Sequence, residues 1–151
     1  MTTRDLPLPR AQAVLMNMVG CGPPGPGGIA CWFPDLPVVT ITTLAGESRE
    51  VTLEGMQPVD PQALLASDRP RRPILDAYVS GDDVMWVLGS GVPQDETFAD
   101  ARGGYLLARY ALDGRLLEQI QLPEPARLLL GVTDSSCLLL SWNGYVVEVR
   151  S

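Results

Sequence analysis

Residues 105–122 read YLLARYALDGRLLEQIQL, and this stretch is the clearest indication of the fold class in the sequence. Two apolar-rich runs flank the tripeptide Leu112-Asp113-Gly114, which is typical of a tight turn because glycine adopts positive φ angles without strain. A strand, a short turn that ends in glycine and a second strand make a β-hairpin. The stretch therefore predicts two antiparallel strands joined at Gly114.

A second copy of this pattern occurs earlier in the chain. Leu44-Ala45-Gly46 precedes residues 50–54, where Val51 and Leu53 alternate with polar residues, as in a half-buried strand. The two turns lie 68 residues apart. Alternation of the same kind marks residues 38–44 and 145–150. The pattern predicts an all-β chain with antiparallel strands and at most one short helix.

Apolar runs recur along the chain and divide it into repeats. Core-like runs occupy residues 29–33, 84–88 and 137–141, and further apolar runs precede them at 14–19, 74–80 and 128–133. These runs and the hairpins predict four-stranded meanders within one β domain, 1–151, with repeat units at about 13–56, 74–123 and 127–151. Between the first two units, Asp60 and Pro61 begin the one helical pattern, at 60–67, because aspartate caps a helix and proline suits its first position.

Four short strands in each unit of roughly 40 to 55 residues are typical of β-propeller blades. The sequence resembles the six-bladed β-propeller proteins of the NHL and related bacterial families at residues 84–88 (VMWVL), at 105–114 with its Leu-Asp-Gly turn, and at 116–123, which ends in Gln-Leu-Pro. Residues 34–53 match less closely. The resemblance implies antiparallel four-stranded blades of a partial β-propeller, about half of a ring. A β-sandwich is the alternative with the same strand spacing.

The third unit departs from the propeller pattern, since it reaches Ser151 after its third strand. Propellers close with about 4 to 8 blades, whereas this sequence holds fewer than three full ones. The apolar edge at residues 145–150 needs water or another strand for its backbone groups. We therefore expect self-association as a homodimer in which two copies close one ring, or a further propeller half in a longer protein.

The charge and the residue inventory exclude several functions. A formal net charge of −7 opposes binding to nucleic acid and to anionic membrane surfaces, because association would begin against repulsion. The sequence has neither His nor Lys, which removes imidazole catalysis, Schiff-base chemistry and His-ligated zinc sites. We therefore predict a non-catalytic β-propeller-type binding or assembly module, without a cofactor, for a small-molecule or protein ligand. The alternative is part of a propeller hydrolase or lyase whose remaining blades carry the catalytic site.

Two connections carry the candidate ligand-binding residues. Arginines in residues 57–73 can clamp a carboxylate or phosphate bidentately. Acids in residues 90–104 can bind a hard cation, but their spacing lacks a calcium-loop pattern, so no metal is predicted. The resemblance to propellers implies that both connections lie on the ligand-binding face and meet at one rim. The candidate residues are Arg69, Arg71, Arg72, Asp95, Glu96 and Asp100.

The three cysteines, Cys21, Cys31 and Cys137, form no Cys-x-x-Cys motif, so we predict inert buried thiols and no zinc site. A Cys21–Cys31 disulfide is the alternative if the protein is exported. Residues 13–19 are apolar and lead to a loose lipoprotein cleavage box, but the stretch is too short for a signal peptide. We therefore predict a buried strand there, which favours a cytoplasmic protein.

Overall fold

The structure, a computed structural model, describes residues 3–68, 70–94, 96–98, 101–132 and 136–151. Its strands form two antiparallel sheets in which sequence neighbours pair. The four-stranded sheet consists of β1 (Gly20–Cys21), β2 (Ile29–Trp32), β3 (Val38–Thr42) and β4 (Ser48–Thr52). The six-stranded sheet consists of β5 (Asp76–Val79), β6 (Val84–Gly89), β7 (Gly104–Ala111), β8 (Leu116–Val132), β9 (Ser136–Ser141) and β10 (Val146–Arg150). The prediction of an all-β, antiparallel fold is confirmed.

The predicted hairpin at Leu112-Asp113-Gly114 joins β7 to β8. Ala111 N–H donates to Arg115 O at 3.0 Å, and Gly114 closes the turn with φ of +92°. A side chain at Gly114 is also excluded, because a Cβ there would lie 2.1 Å from Thr52 O. Glycine is therefore required for the turn and for its close contact with the four-stranded sheet.

Two hydrophobic cores lie on opposite faces of the strands β5 to β7. Met85 and Val87 face the four-stranded sheet, in a core that includes Trp32. Trp86 and Leu88 point the other way and pack against β8 and β9. Because β6 is buried on both faces, its sequence is a continuous apolar run rather than an alternating one. The first unit therefore packs on one face of the second unit and the third unit packs on the other face, so the three units form a stack in chain order.

Separate strands at 116–123 and 128–133 are predicted from the sequence, but the structure has one strand, β8, across both. Its first part pairs with β7 and its last part, from Ala126, pairs with β9. Pro123 and Pro125 lie in the irregular stretch between the two pairings, where ladder donors are not required. The strand therefore continues through the two prolines, and Ala126 after them pairs with both Gly104 of β7 and Ser141 of β9. Position 133 lies outside the described residues.

The predicted buried strand at 14–19 is wrong, because residues Arg10–Met16 form a helix, α1. The edge of β2 pairs with Gly20 and Cys21 of β1, so this short strand takes the place at β2 that a strand at 14–19 would have filled. The helix 60–67 is confirmed as α2 (Pro61–Ala66), with Asp60 Oδ1 accepting from Gln62 N–H at 3.2 Å. Within the described ranges the chain therefore has two α-helices, not one, and a short 3-10 helix, Glu96–Phe98. No helix in this part of the chain is long and apolar enough to cross a membrane.

The prediction of inert thiols is wrong for Cys21 and Cys31, which form a disulfide. The two residues lie directly opposite each other on β1 and β2, with their Cα atoms 4.1 Å apart. The distance between opposed residues on neighbouring strands suits a disulfide, so register decides the pairing. Cys137 is a buried free thiol, as predicted, and burial raises its pKa to about 12.

The glycine- and proline-rich loop between β1 and β2 lies against β5. A Cβ at Gly22 would lie 1.8 Å from Ala77 O, and one at Gly25 would lie 2.1 Å from Val79 O. Gly27 N–H donates to Val79 O at 3.3 Å. The loop therefore covers the outer edge of β5 and fixes the start of the six-stranded sheet against the four-stranded one.

Candidate functional site

A cavity of about 450 Å³ lies where the connection before β5 meets the connection between β6 and β7. In an antiparallel sheet, the start of β5, the end of β6 and the start of β7 share one end of the sheet. The residues that flank these three strand ends therefore converge. The described lining residues are Pro70, Arg71, Arg72, Leu75, Ser90, Ala101, Arg102, Gly103 and Tyr105.

Ser90 holds the two connections together. Its side-chain Oγ accepts from Arg72 N–H at 2.8 Å, and its own N–H donates to Arg72 O at 3.2 Å. On the other side, Ser90 O accepts from Tyr105 N–H at 2.9 Å. Ser90 is buried, so these bonds are shielded from water. The backbone on either side of the cavity is therefore joined through one residue.

Arginine side chains supply the charge of the cavity. Arg71 Nη1 donates to Gly91 O, which ties the first connection to the second. The guanidinium groups of Arg72 and Arg102 form no hydrogen bond or ion pair with any residue in the described ranges, and both residues are exposed. Asp and Glu do not occur among the described lining residues. The lining that can be described is therefore cationic, with two guanidinium groups available to a ligand.

The remaining wall is largely apolar. Leu75 is half-buried beside the cavity, and Tyr105 is buried, with its hydroxyl donating to Phe98 O in the 3-10 helix. Gly103 allows the second connection to pass close to β8, since a Cβ there would lie 2.7 Å from Ala126 O. This close passage places Arg102 at the cavity. A leucine and a tyrosine beside arginines suit a ligand that has both a carbon skeleton and an anionic group.

The structure places the predicted site residues in different positions. Arg71 and Arg72 line the cavity, as the arginines of one connection. Glu96 is exposed at the start of the 3-10 helix and is not a lining residue. Within the described ranges no three Asp, Glu or Cys side chains converge in a way that could hold a metal ion. Arg69, Asp95 and Asp100 lie outside the described residues.

Arg102 lines the cavity but is not among the candidate residues predicted from the sequence. Residues 90–104 are mainly acidic in charge, but they also contain Arg102, which stands next to Gly103 and Gly104 at the start of β7. A pair of glycines before a strand indicates that the backbone approaches another part of the chain closely. A cation next to such a pair is the sequence feature that could have indicated Arg102.

No protein-family model matches the chain, and no curated protein matches its sequence. Among solved structures, the computationally designed Ika4 protein is similar at 14% identity with a TM-score of 0.47, covering 82% of this chain and 60% of that one. BBS1N, from its crystal structure in complex with ARL6DN, is similar at 17% identity with a TM-score of 0.43, covering 83% of this chain and 34% of that one. The chain thus spans less than two thirds of the length of either structure.

Proposed function

We propose that this chain is a non-catalytic binding module of the β-propeller type whose cavity binds a small ligand through a carboxylate or phosphate group. One observation carries the proposal: Arg71, Arg72 and Arg102, from two separate connections, line a single cavity. We therefore assign the ligand-binding face to residues 70–75, to Ser90 and to residues 101–105.

The chemistry of guanidinium explains the preference for an oxyanion. Each group has N–H donors in a planar fork that matches the two oxygens of a carboxylate or two oxygens of a phosphate. Arg71 keeps further donors for a ligand after its bond to Gly91 O. A ligand that bridges Arg72 and Arg102 would neutralise both, and each charge-assisted hydrogen bond contributes about 1.5–3 kcal/mol.

The size and apolar wall of the cavity support a small organic ligand rather than a free ion. A volume of about 450 Å³ lies within the range of cavities that hold small molecules. Leu75 and the ring of Tyr105 provide contact for a carbon skeleton, while the arginines orient its charged end. Since the whole chain carries a net charge of −7, attraction to the site is local and depends on these three side chains.

Binding, rather than turnover, suits the side chains that line the cavity. Arginine stays protonated at neutral pH and does not act as an acid or base. Ser90 Oγ is held by the Arg72 N–H, and the Tyr105 hydroxyl donates to Phe98 O. The groups that face a ligand can therefore bind its charged group and orient the ligand.

Isothermal titration calorimetry with citrate and with inorganic pyrophosphate tests the proposal. We expect one site for at least one of the two anions, weakened about tenfold or more by Arg72→Gln or Arg102→Gln. Arg49→Gln is the matched control, because Arg49 is exposed on β4 and does not line the cavity. Equal affinities for the wild type and all three variants, or no binding of either anion at millimolar concentration, would show that the cavity is not an anion site.

A further inference from the structure

The third unit of the stack, formed by residues 126–132 of β8 with β9 and β10, has one buried and one uncovered face. Leu129, Cys137 and Leu139 are at most 2% exposed and pack in one core with Trp86 of the second unit. Along a strand, successive side chains point to opposite faces. The residues between these three therefore point away from the rest of the molecule.

This opposite face carries an apolar row beside the ion pair of Arg150 with Glu148, since both residues share the face with Val146. Leu140 of β9 is paired with Leu128 on one side and with Val146 on the other, so that the three side chains form a row across three strands. Leu128 is 37% exposed and Val146 is 62% exposed. Among the described residues, the core clusters include none of these four side chains: Leu128, Leu138, Leu140 and Val146. We call this row, with Leu138, the terminal face.

A second exposed apolar group lies near the N-terminus of the chain. Its members lie on or directly after α1, are between 43% and 60% exposed, and are here called the N-terminal patch: Val14, Leu15, Met18 and Val19. The patch is held in place by Arg4, which donates to both oxygens of Asp35 at 2.7 and 2.9 Å and to Met16 O. The Arg4 guanidinium also lies 4.1 Å from the centre of the Phe33 ring.

The two ends carry little of the net charge of the chain. Residues 1–21 contain two arginines and one aspartate, and residues 127–151 contain two arginines and two acids. The excess of negative charge, −7 for the whole chain, therefore lies between them. Contact between the two terminal segments of two copies therefore meets less repulsion than contact between their central parts.

We infer that the terminal face of one copy packs on the N-terminal patch of a second copy of this chain, twice, around a twofold axis. Each copy then covers one apolar surface of its partner and has its own covered in return, so the assembly closes. The contact would cover the open side of the third unit, whose other side already packs against Trp86 of the second unit. This inference is independent of the ligand proposed for the cavity.

Light scattering coupled to size-exclusion chromatography tests this assembly on the full chain. We expect twice the chain mass of 16.3 kDa at micromolar concentration, and a monomer for Val146→Lys and for Met18→Lys. Leu44→Lys is the matched control, since Leu44 is 80% exposed in the turn after β3 and lies on neither surface. Circular dichroism of each variant separates loss of the dimer from loss of the fold.

Each remaining outcome overturns the inference. A folded monomer of the wild type up to millimolar concentration shows that the surfaces do not pair. A dimer that Val146→Lys disrupts and Met18→Lys leaves intact shows that two terminal faces meet each other, rather than a terminal face and an N-terminal patch. Masses that grow with concentration beyond two chains show an open array instead of a closed pair.

Because both copies are negative, the expected dimer tightens as salt rises from 0.05 M to about 0.3 M, through screening of their repulsion.

Discussion

The carboxylate of Asp76 accepts a hydrogen bond from the backbone N–H of Leu129, with Oδ2 and N 2.8 Å apart. Its other oxygen, Oδ1, accepts from Ala77 N–H at 2.9 Å. Asp76 begins β5, and Leu129 lies in the second part of β8, so that one buried side chain joins the first strand of the second unit to the first strand of the third. This bond crosses between strands that do not pair with each other.

Replacement of Asp76 by Ala is expected to destabilise the protein by about 1–3 kcal/mol, because the buried Leu129 N–H loses its acceptor. Asp76→Asn keeps an acceptor oxygen at the same place and is expected to cost less. Urea denaturation at neutral pH measures both. A variant Asp76→Ala with the wild-type midpoint would show that the bond contributes nothing to the stacking of the units.

The Asp76 carboxyl also predicts a pH dependence of stability. Burial raises its pKa above the ordinary 3.8, against the opposing effect of the hydrogen bonds from Leu129 and Ala77. The folded protein thus binds this proton more tightly than the unfolded chain does. The stabilisation is fully present below pH 3.8 and is lost as the pH rises through the raised pKa.

The difference in unfolding free energy between wild type and Asp76→Asn isolates this effect, because the asparagine does not titrate. We expect the wild type to lose stability relative to Asp76→Asn as the pH is raised from 3.8, and the difference to become constant above the raised pKa. Denaturation at a series of pH values checks this. A difference that changes in the opposite direction would mean that the hydrogen bonds outweigh the burial.

The Cys21–Cys31 disulfide is expected to stabilise the folded chain by about 2–3 kcal/mol, since it closes a loop with a sequence separation of 10. Unfolding of the wild type should therefore shift to lower denaturant in the presence of a reductant. A double variant, Cys21→Ser with Cys31→Ser, should unfold at the reduced midpoint and show no effect of reductant. Equal midpoints for the oxidised and reduced wild type would contradict the prediction.

The Arg4–Asp35 pair is expected to hold the N-terminal segment on the four-stranded sheet. Asp35 is 2% exposed, so Arg4→Leu leaves a buried carboxylate without its partner and is expected to cost about 3 kcal/mol. The double variant Arg4→Leu with Asp35→Asn removes both charges and should recover part of this loss. Hydrogen exchange at residues 10–17 reports whether α1 is released, and unchanged protection in Arg4→Leu would show that the helix is held by other contacts.

The sequence by itself was sufficient for the elements that depend on interactions between neighbouring residues. Alternation with a period of two and glycine at the turns predicted antiparallel strands and the hairpin at Gly114, because both are properties of a few neighbouring residues. The cap formed by Asp60 and the proline after it predicted α2 for the same reason. The approach of residues 57–73 to residues 90–104 was an implication of the resemblance to propellers, and the two connections do meet at Ser90.

Features that depend on which strand edges are free and which strands are opposed follow from the three-dimensional arrangement and not from local sequence. Whether residues 14–19 form a strand depends on an edge of β2, and that edge is filled by Gly20 and Cys21. The disulfide depends on the register of two strands, which no spacing of cysteines reveals. Arg102 joins Arg71 and Arg72 because antiparallel order brings the ends of β5, β6 and β7 together, over a separation of 30 residues that local patterns do not span.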